Sequence, residues 1–315
     1  MKRPVKKPLI AVVMVVIILI TVYYYVTSLR NTGGSVNASI VVTLNFGKDL
    51  ILQRSLTVPM GTNALEALKM VAEVETIYGG GFVSSINGIR STYPSMRFDW
   101  FFYVNGFLAK EGALSYVLFD GDLIQWDYHS WESNIMVNAV LGGYPKCFTN
   151  GYGGRVAETT IVFESTFASE ASELRESLRR YGVDAATLSV DEVPDHVKSR
   201  SNMVILAKSN NEFVAELNKI HKRIGFYAFF NGGRLIQCDS AGNPYREYDE
   251  AGVILVTQNI WNPKGMMACE NIIMLLSGTD ERSVKKCVQV LLEDSPRYGY
   301  AFSLIVARNE TVMVP

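Results

Sequence analysis

An apolar run from Leu9 to Val26, without a charge and with Thr21 as its one break, constrains this chain more than any other feature. At 1.5 Å per helical residue it reaches about 27 Å, close to the hydrocarbon thickness of a bilayer. Lys2, Arg3, Lys6 and Lys7 precede it, and basic flanks stay on the cytoplasmic side. Tyr23, Tyr24 and Tyr25 close it with rings suited to the outer interface. The pattern predicts a retained single-pass anchor over residues 1–30. The alternative is a cleaved signal peptide with Val26-Thr27-Ser28 as a poor cleavage site, and the run is long for that role. Either way the remainder is expected outside the cytoplasm, and with the anchor retained it stays on the cell membrane.

Five of the 30 Lys and Arg residues lie in the first 30 positions, which hold no acid, so the rest carries 25 basic against 31 acidic residues, a net charge of −6. An acidic surface argues against nucleic acid as a partner, because phosphate binding needs clustered cations. Cys147, Cys238, Cys269 and Cys287 show no C-x-x-C spacing, which speaks against a zinc site. Outside the cytoplasm one or two disulfides are open to them; the alternative is that Cys269 and Cys287, both in apolar segments, are buried small hydrophobes. Asn37-Ala38-Ser39 and Asn309-Glu310-Thr311 have the form of glycosylation acceptors.

The exported part reads as two domains. After a Gly- and Ser-containing spacer, Ser39–Leu44 and Leu50–Val58 flank Asn45-Phe46-Gly47-Lys48-Asp49 as a hairpin. Asn63 with Glu66 three residues on predicts a capped helix whose Leu65, Leu68, Val71 and Ala72 share one face. Strands are expected at 82–86, 100–104, 116–119 and 123–128, each bounded by turn residues. This gives an α+β sheet-on-helix domain over 38–140. A Gly-rich linker follows at 141–158. From 159 to 315 strands and helices alternate, predicting an α/β domain with a mostly parallel sheet covered on both faces.

Catalytic motifs are missing: there is no G-x-S-x-G, H-E-x-x-H, P-loop or G-x-G-x-x-G, and His129, His196 and His221 are far apart. The chain therefore reads as a non-enzyme with no metal site. Gly79-Gly80-Gly81 reads as a turn rather than a phosphate cradle, and Thr279-Asp280 as a helix cap rather than a ligand edge. The local feature that points to binding is aromatic. Trp100-Phe101-Phe102-Tyr103 and Trp126-Asp127-Tyr128-His129-Ser130-Trp131 hold three of the four tryptophans. In an alternating strand Trp100 and Phe102 face one way, Phe101 and Tyr103 the other. One set builds a core; the other either forms a platform for a flat ligand or is itself covered.

Residues 40–131 resemble the C-terminal domain of transcobalamin and intrinsic factor, in the version found in prokaryotic exported proteins of unassigned function. The resemblance is carried by the segment from Val58 to Leu68, by Gly81 to Ile89, by Asp99 to Gly106 and by Gly121 to Tyr128. It implies a small sheet wrapped on one helix with a ligand face, and it places Trp100, Phe101 and Phe102 against a corrin. The large helical barrel that completes the site in the vitamin carriers has no counterpart here. With Trp126 as a second aromatic and Asn87, Asn105 and Tyr128 as a polar rim, the leading expectation is a surface binding protein for cobalamin or another small ligand. The alternative is a structural or adhesion module that binds a protein or envelope partner. Joint exposure of Trp100 and Trp126 would favour the first, joint burial the second. A third reading, a hydrolase near Thr279, lacks a histidine close in sequence.

Overall fold

The computed structural model describes residues 14–21, 34–133, 135–293 and 295–315. Most of the run Leu9–Val26, its basic flank and the alternative cleavage site lie outside the described residues. Residues 14–21 form an exposed apolar helix, and among the described residues no helix is long and apolar enough to cross a membrane.

The first half is built on a five-stranded sheet. Strands β1 (Ser35–Leu44) and β2 (Asp49–Pro59) form the expected hairpin; β6 (Phe98–Val104), β7 (Phe107–Leu108) and β8 (Asp122–Ser130) complete the order β2-β1-β8-β6-β7. β1 pairs parallel to β8, whereas β6 pairs antiparallel to β8. Helix α1 (Ala64–Lys69) starts as the sequence predicts: the Asn63 side chain accepts from the Glu66 N–H at 2.8 Å, and Glu66 accepts from the Asn63 N–H at 3.1 Å. This reciprocal box satisfies two donors that a helix start otherwise leaves open. Its Ala64, Leu65, Ala67 and Leu68 are buried against Ile40, Val42, Ile124 and Trp126 of the sheet. A small antiparallel sheet of β3 (Val74–Ile77), β4 (Phe82–Ile86) and β5 (Ile89–Arg90) lies beside them. Residues 116–119 make one isolated bridge, Val117 to Asn63, in place of the expected strand. Their polar groups are taken by the α1 entry and by Asp122 instead.

The second half holds a seven-stranded sheet. Its members are β9 (Thr159–Phe163), β10 (Ala186–Ser189), β11 (Asn202–Lys208), β15 (Ala251–Gln258), β16 (Ile272–Gly278), β17 (Ser303–Ala307) and β18 (Thr311–Val314), in the order β10-β9-β11-β16-β15-β17-β18. The expectation of a mostly parallel sheet is corrected here: three pairings are parallel and three antiparallel. Parallel neighbours need a crossover, which helix α2 (Ala168–Arg180) supplies between β9 and β10. Between β15 and β16 no helix intervenes, so the chain returns antiparallel.

Side-chain alternation divides this sheet into two buried faces. Ile161, Val204, Leu206, Ile254, Met274 and Leu304 pack under α2 and the last helix, α4 (Glu281–Glu293). On the opposite face Val162, Ile205, Val253, Leu255 and Ile305 meet helix α3 (Glu212–Lys219), the small sheet of β12 (Ala228–Asn231), β13 (Arg234–Cys238) and β14 (Pro244–Tyr248), and residues of the first half. The expected linker 141–158 is packed against both halves in its first part, where Leu141, Gly142, Gly143, Cys147 and Phe148 are buried, and is exposed at Gly154, Arg155 and Val156. Leu141 and Gly142 donate their N–H groups to the carbonyls of Phe302 and Ala301 at 2.9 and 2.8 Å. A Cβ at Gly143 would lie 2.3 Å from the Gly106 Cα, so only glycine permits this approach. All four cysteines are buried and unpaired.

Candidate functional site: the aromatic sheet of the first half

β6 and β8 pair in a register that sets Trp100 opposite Tyr128 and Phe102 opposite Trp126 on one face, and Asp99 opposite His129 and Phe101 opposite Asp127 on the other. On the first face the rings make pairs: Phe102 stacks on Trp126 at 4.9 Å, and Trp100 and Phe98 lie 5.2 and 5.8 Å from Tyr128. Aromatic contacts at such separations add roughly 0.5–1.5 kcal/mol each beyond burial. β5 closes over them: the Trp100 indole donates to the Ile89 carbonyl at 3.0 Å, and the Tyr128 hydroxyl to the Arg90 carbonyl at 2.9 Å. Trp100 is 5% exposed and Trp126 2% exposed. Phe101, Phe102 and Tyr128 keep partial exposure. Trp126 Nε1 is buried with no acceptor, an unmet donor beside the half-open Phe102 ring.

Asn105, expected on a polar rim, is 0% exposed. Its amide donates to Asp122 Oδ1 and to the Gly151 carbonyl, both at 2.8 Å, and its oxygen accepts from the Leu123 N–H at 2.8 Å. It therefore fastens the β6–β7 turn and has no group left for a ligand. Asp122 also receives the Tyr116 hydroxyl at 2.9 Å and the Phe119 N–H at 3.0 Å. Burial pushes its carboxyl above the ordinary range against the downward pull of those bonds.

The second face is filled by the rest of the protein. Asn45, Phe46 and Gly47 of the β1–β2 turn all have left-handed backbone, with φ of 56, 63 and 80°. This aims the Phe46 ring between His129 at 4.5 Å, Tyr227 at 5.3 Å and Phe302 at 5.5 Å. The fully buried Asp127 carboxylate holds the turn: it accepts from the Phe46 and Gly47 N–H groups at 3.0 and 2.8 Å, from the Thr43 hydroxyl at 2.6 Å, and lies 2.7 Å from His129 Nδ1. A Cβ at Gly47 would sit 1.8 Å from the Tyr300 carbonyl oxygen. Phe101 stacks on His129 at 4.4 Å and Tyr103 meets Phe302 at 5.2 Å. Burial, and then the nearby Asp127 and Tyr227, raise the Tyr103 phenol well above its usual value. Sequence reasoning missed Phe46 and the role of Asp127; the signal available was a bulky aromatic inside a turn.

Besides the partly exposed Phe101, Phe102 and Tyr128, a rim at one end of the sheet is accessible. Tyr93 is 64% exposed with its ring 5.8 Å from Trp131, and the Arg97 guanidinium lies over Trp131 at 5.2 Å. The Trp131 indole donates to Asp99 Oδ2 at 2.6 Å, and Met96 is exposed nearby in sequence. Elsewhere Asp280 caps the last helix by receiving the Ser283 N–H at 2.8 Å, whereas the Thr279 hydroxyl does not cap it and receives the Ala251 N–H of β15 instead. A cleft of about 700 Å³ runs along the start of α4 between acidic and basic side chains. Among the described residues no group of three or more His, Cys, Asp or Glu side chains could hold a metal ion.

Residues 61–130 match a family described as "Domain of unknown function (DUF4430)". No curated protein matches the chain. Among solved structures, the chain is similar to haptocorrin in complex with Cbi, at 17% identity and a TM-score of 0.26, over 30% of this chain and 25% of that one. It is also similar to a "putative metal binding protein" from Ruminococcus gnavus ATCC 29149, at 14% identity and a TM-score of 0.23, over 31% of this chain and 97% of that one. The chain thus spans a quarter of the haptocorrin length.

Proposed function

We propose that this chain is a membrane-anchored, extracytoplasmic binding protein that engages a protein or envelope partner through the rim Tyr93, Arg97 and Trp131. The observation that carries this reading is the joint burial of Trp100 and Trp126 together with closure of the opposite face by Phe46, Tyr227 and Phe302. With Trp100 and Trp126 buried, the rim still offers an accessible aromatic and guanidinium surface, in the residue types that dominate binding energy at protein interfaces. The apolar run Leu9–Val26 and its basic flank support the anchor, and the net charge of −6 beyond it argues against nucleic acid. A binding rather than catalytic role is favoured because Asp127 is consumed in holding a turn. The test is recovery of envelope components on the full-length protein, wild type against Trp131→Ala. Loss of a specific partner with the substitution supports the reading; an unchanged set of partners removes the rim from it.

A second reading keeps the small ligand. The unpaired Trp126 indole N–H under a partly exposed Phe102 is a donor in want of an acceptor, as a cobamide amide would provide. On this reading Phe102 swings aside to admit cobalamin, and the resemblance of residues 40–131 to the vitamin carriers supports the ligand class. Titration calorimetry decides it: micromolar binding, about −8 kcal/mol, weakened by Phe102→Ala, is expected. No heat with wild type sinks it.

A further inference from the structure

The outer edge of β2 is an unmatched half of a β-ladder. β2 runs 11 residues, of which eight are exposed, including Leu50 and Ile51, while Leu52 and Leu56 are half-buried and Val58 is buried. It ends the five-stranded sheet, and among the described residues no strand pairs on its far side. Natural edges are blunted by shortness, lysine, proline, bulges or a covering element. Between Leu50 and Val58 there is no proline or lysine, and Arg54 is the lone charge. The single bulge lies at the Ile51 end.

Hydrogen-bond parity identifies the open groups. The Asn37 N–H donates to Asp120 Oδ1 and its carbonyl accepts from the Gly121 N–H, so Asn37 faces the β8 side. Alternation then turns Val36, Ala38, Ile40 and Val42 toward β2, where they oppose Val58, Leu56, Arg54 and Leu52. Gln53, Ser55 and Thr57 are left with their N–H and C=O groups directed outward. The Arg54 guanidinium folds back onto the Gln53 carbonyl at 2.8 Å, a contact an exposed side chain can release.

We propose that β2 pairs antiparallel with β2 of a second copy of this chain, about a two-fold axis at Ser55, joining two five-stranded sheets into one. The sequence selects that register among those the parity allows. An axis at Ser55 sets Gln53 against Thr57, Arg54 against Leu56 and Leu52 against Val58, using all three outward residues with no like charges opposed. An axis at Arg54 puts two guanidinium groups face to face, which destabilises a cross-strand pair. An axis at Leu56 sets Gln53 against Pro59, which has no N–H to give. An axis at Gln53 draws Ile51 of the bulge into the ladder. A two-fold contact of this kind is closed, so it yields a dimer rather than a fibre.

Symmetric cross-linking of the full-length protein in membranes tests both the partner and the register. Opposed residues in such a ladder have Cα atoms about 5.5 Å apart, within disulfide reach. Ser55→Cys under mild oxidation is expected to give a disulfide dimer, while wild type, with its four thiols buried, gives none. Gln53→Cys and Thr57→Cys, weak alone, are expected to cross-link to one another when co-expressed. A Ser55→Cys protein that labels with maleimide, and so is accessible, yet gives no dimer overturns the proposal. Equal cross-linking by Leu50→Cys or Arg54→Cys overturns the register.

Discussion

Phe46 holds left-handed backbone, which costs a bulky residue of order 1–3 kcal/mol. Burial of its ring among His129, Tyr227 and Phe302 and the carboxylate of Asp127 behind its N–H offset that cost. Phe46→Ala is therefore expected to lower stability by about 3–5 kcal/mol, read by urea unfolding; a loss under 1 kcal/mol would mean the ring is not what locks the turn. The turn itself was legible, since Asn45 to Asp49 separates two apolar runs. The burial of Phe46 was not, because its partners Tyr227 and Phe302 are remote in sequence. Asn105 failed for a related reason: a turn asparagine reads as exposed, and only the fold brings Asp122 and Gly151 to it. Asp122 gives a test of sign. With its folded pKa raised by burial, its contribution is whole below the unfolded value of about 3.8 and is lost as pH rises through the folded value. Asp122→Asn does not titrate there, so the advantage of wild type over it should be larger at pH near 4 than at pH near 7. A gap that widens with pH contradicts the assignment.

At the scale of elements, local chemistry decided what could be read. The Asn63–Glu66 box fixed the start of α1 in advance, and Asn63→Ala should cost about 1 kcal/mol in thermal or urea unfolding, with no effect if the helix is held by packing alone. The alternation of strands and helices expected from 159 to 315 is supplied by α2, α3 and α4. Strand direction had no such local signal. β15 and β16 are both continuous apolar runs, as parallel strands are, yet they pair antiparallel because the 13 intervening residues hold no helix. Residues 116–119 carry a strand-like composition, but Tyr116 and Phe119 spend their polar groups on Asp122. The aromatic face was placed correctly by alternation. Its covering was invisible, since β5 and the second half arrive from elsewhere in the chain.

The two halves of the molecule are joined through polar as well as apolar contacts. Gln125 Nε2 donates to the Tyr300 carbonyl at 3.0 Å, the Thr257 hydroxyl and the Gln258 N–H both donate to Asn138 Oδ1 at 2.9 Å, and Leu141 bonds to Phe302. Phe46, Tyr103 and Val137 share a core with Ile205, Tyr227, Val253 and Phe302. Such an interface leaves the first half incomplete by itself, since removing the second exposes Phe46, Tyr103, Phe101 and His129 as one apolar patch. Patches beyond a few hundred Å² are rare on soluble monomers. A fragment of residues 34–140 is therefore expected to aggregate or to bind a hydrophobic dye strongly, while 34–315 unfolds in one cooperative transition with coincident near- and far-ultraviolet dichroism. Should 34–140 instead stay monomeric and dye-silent, the face against Phe302 would be a surface of that domain in its own right.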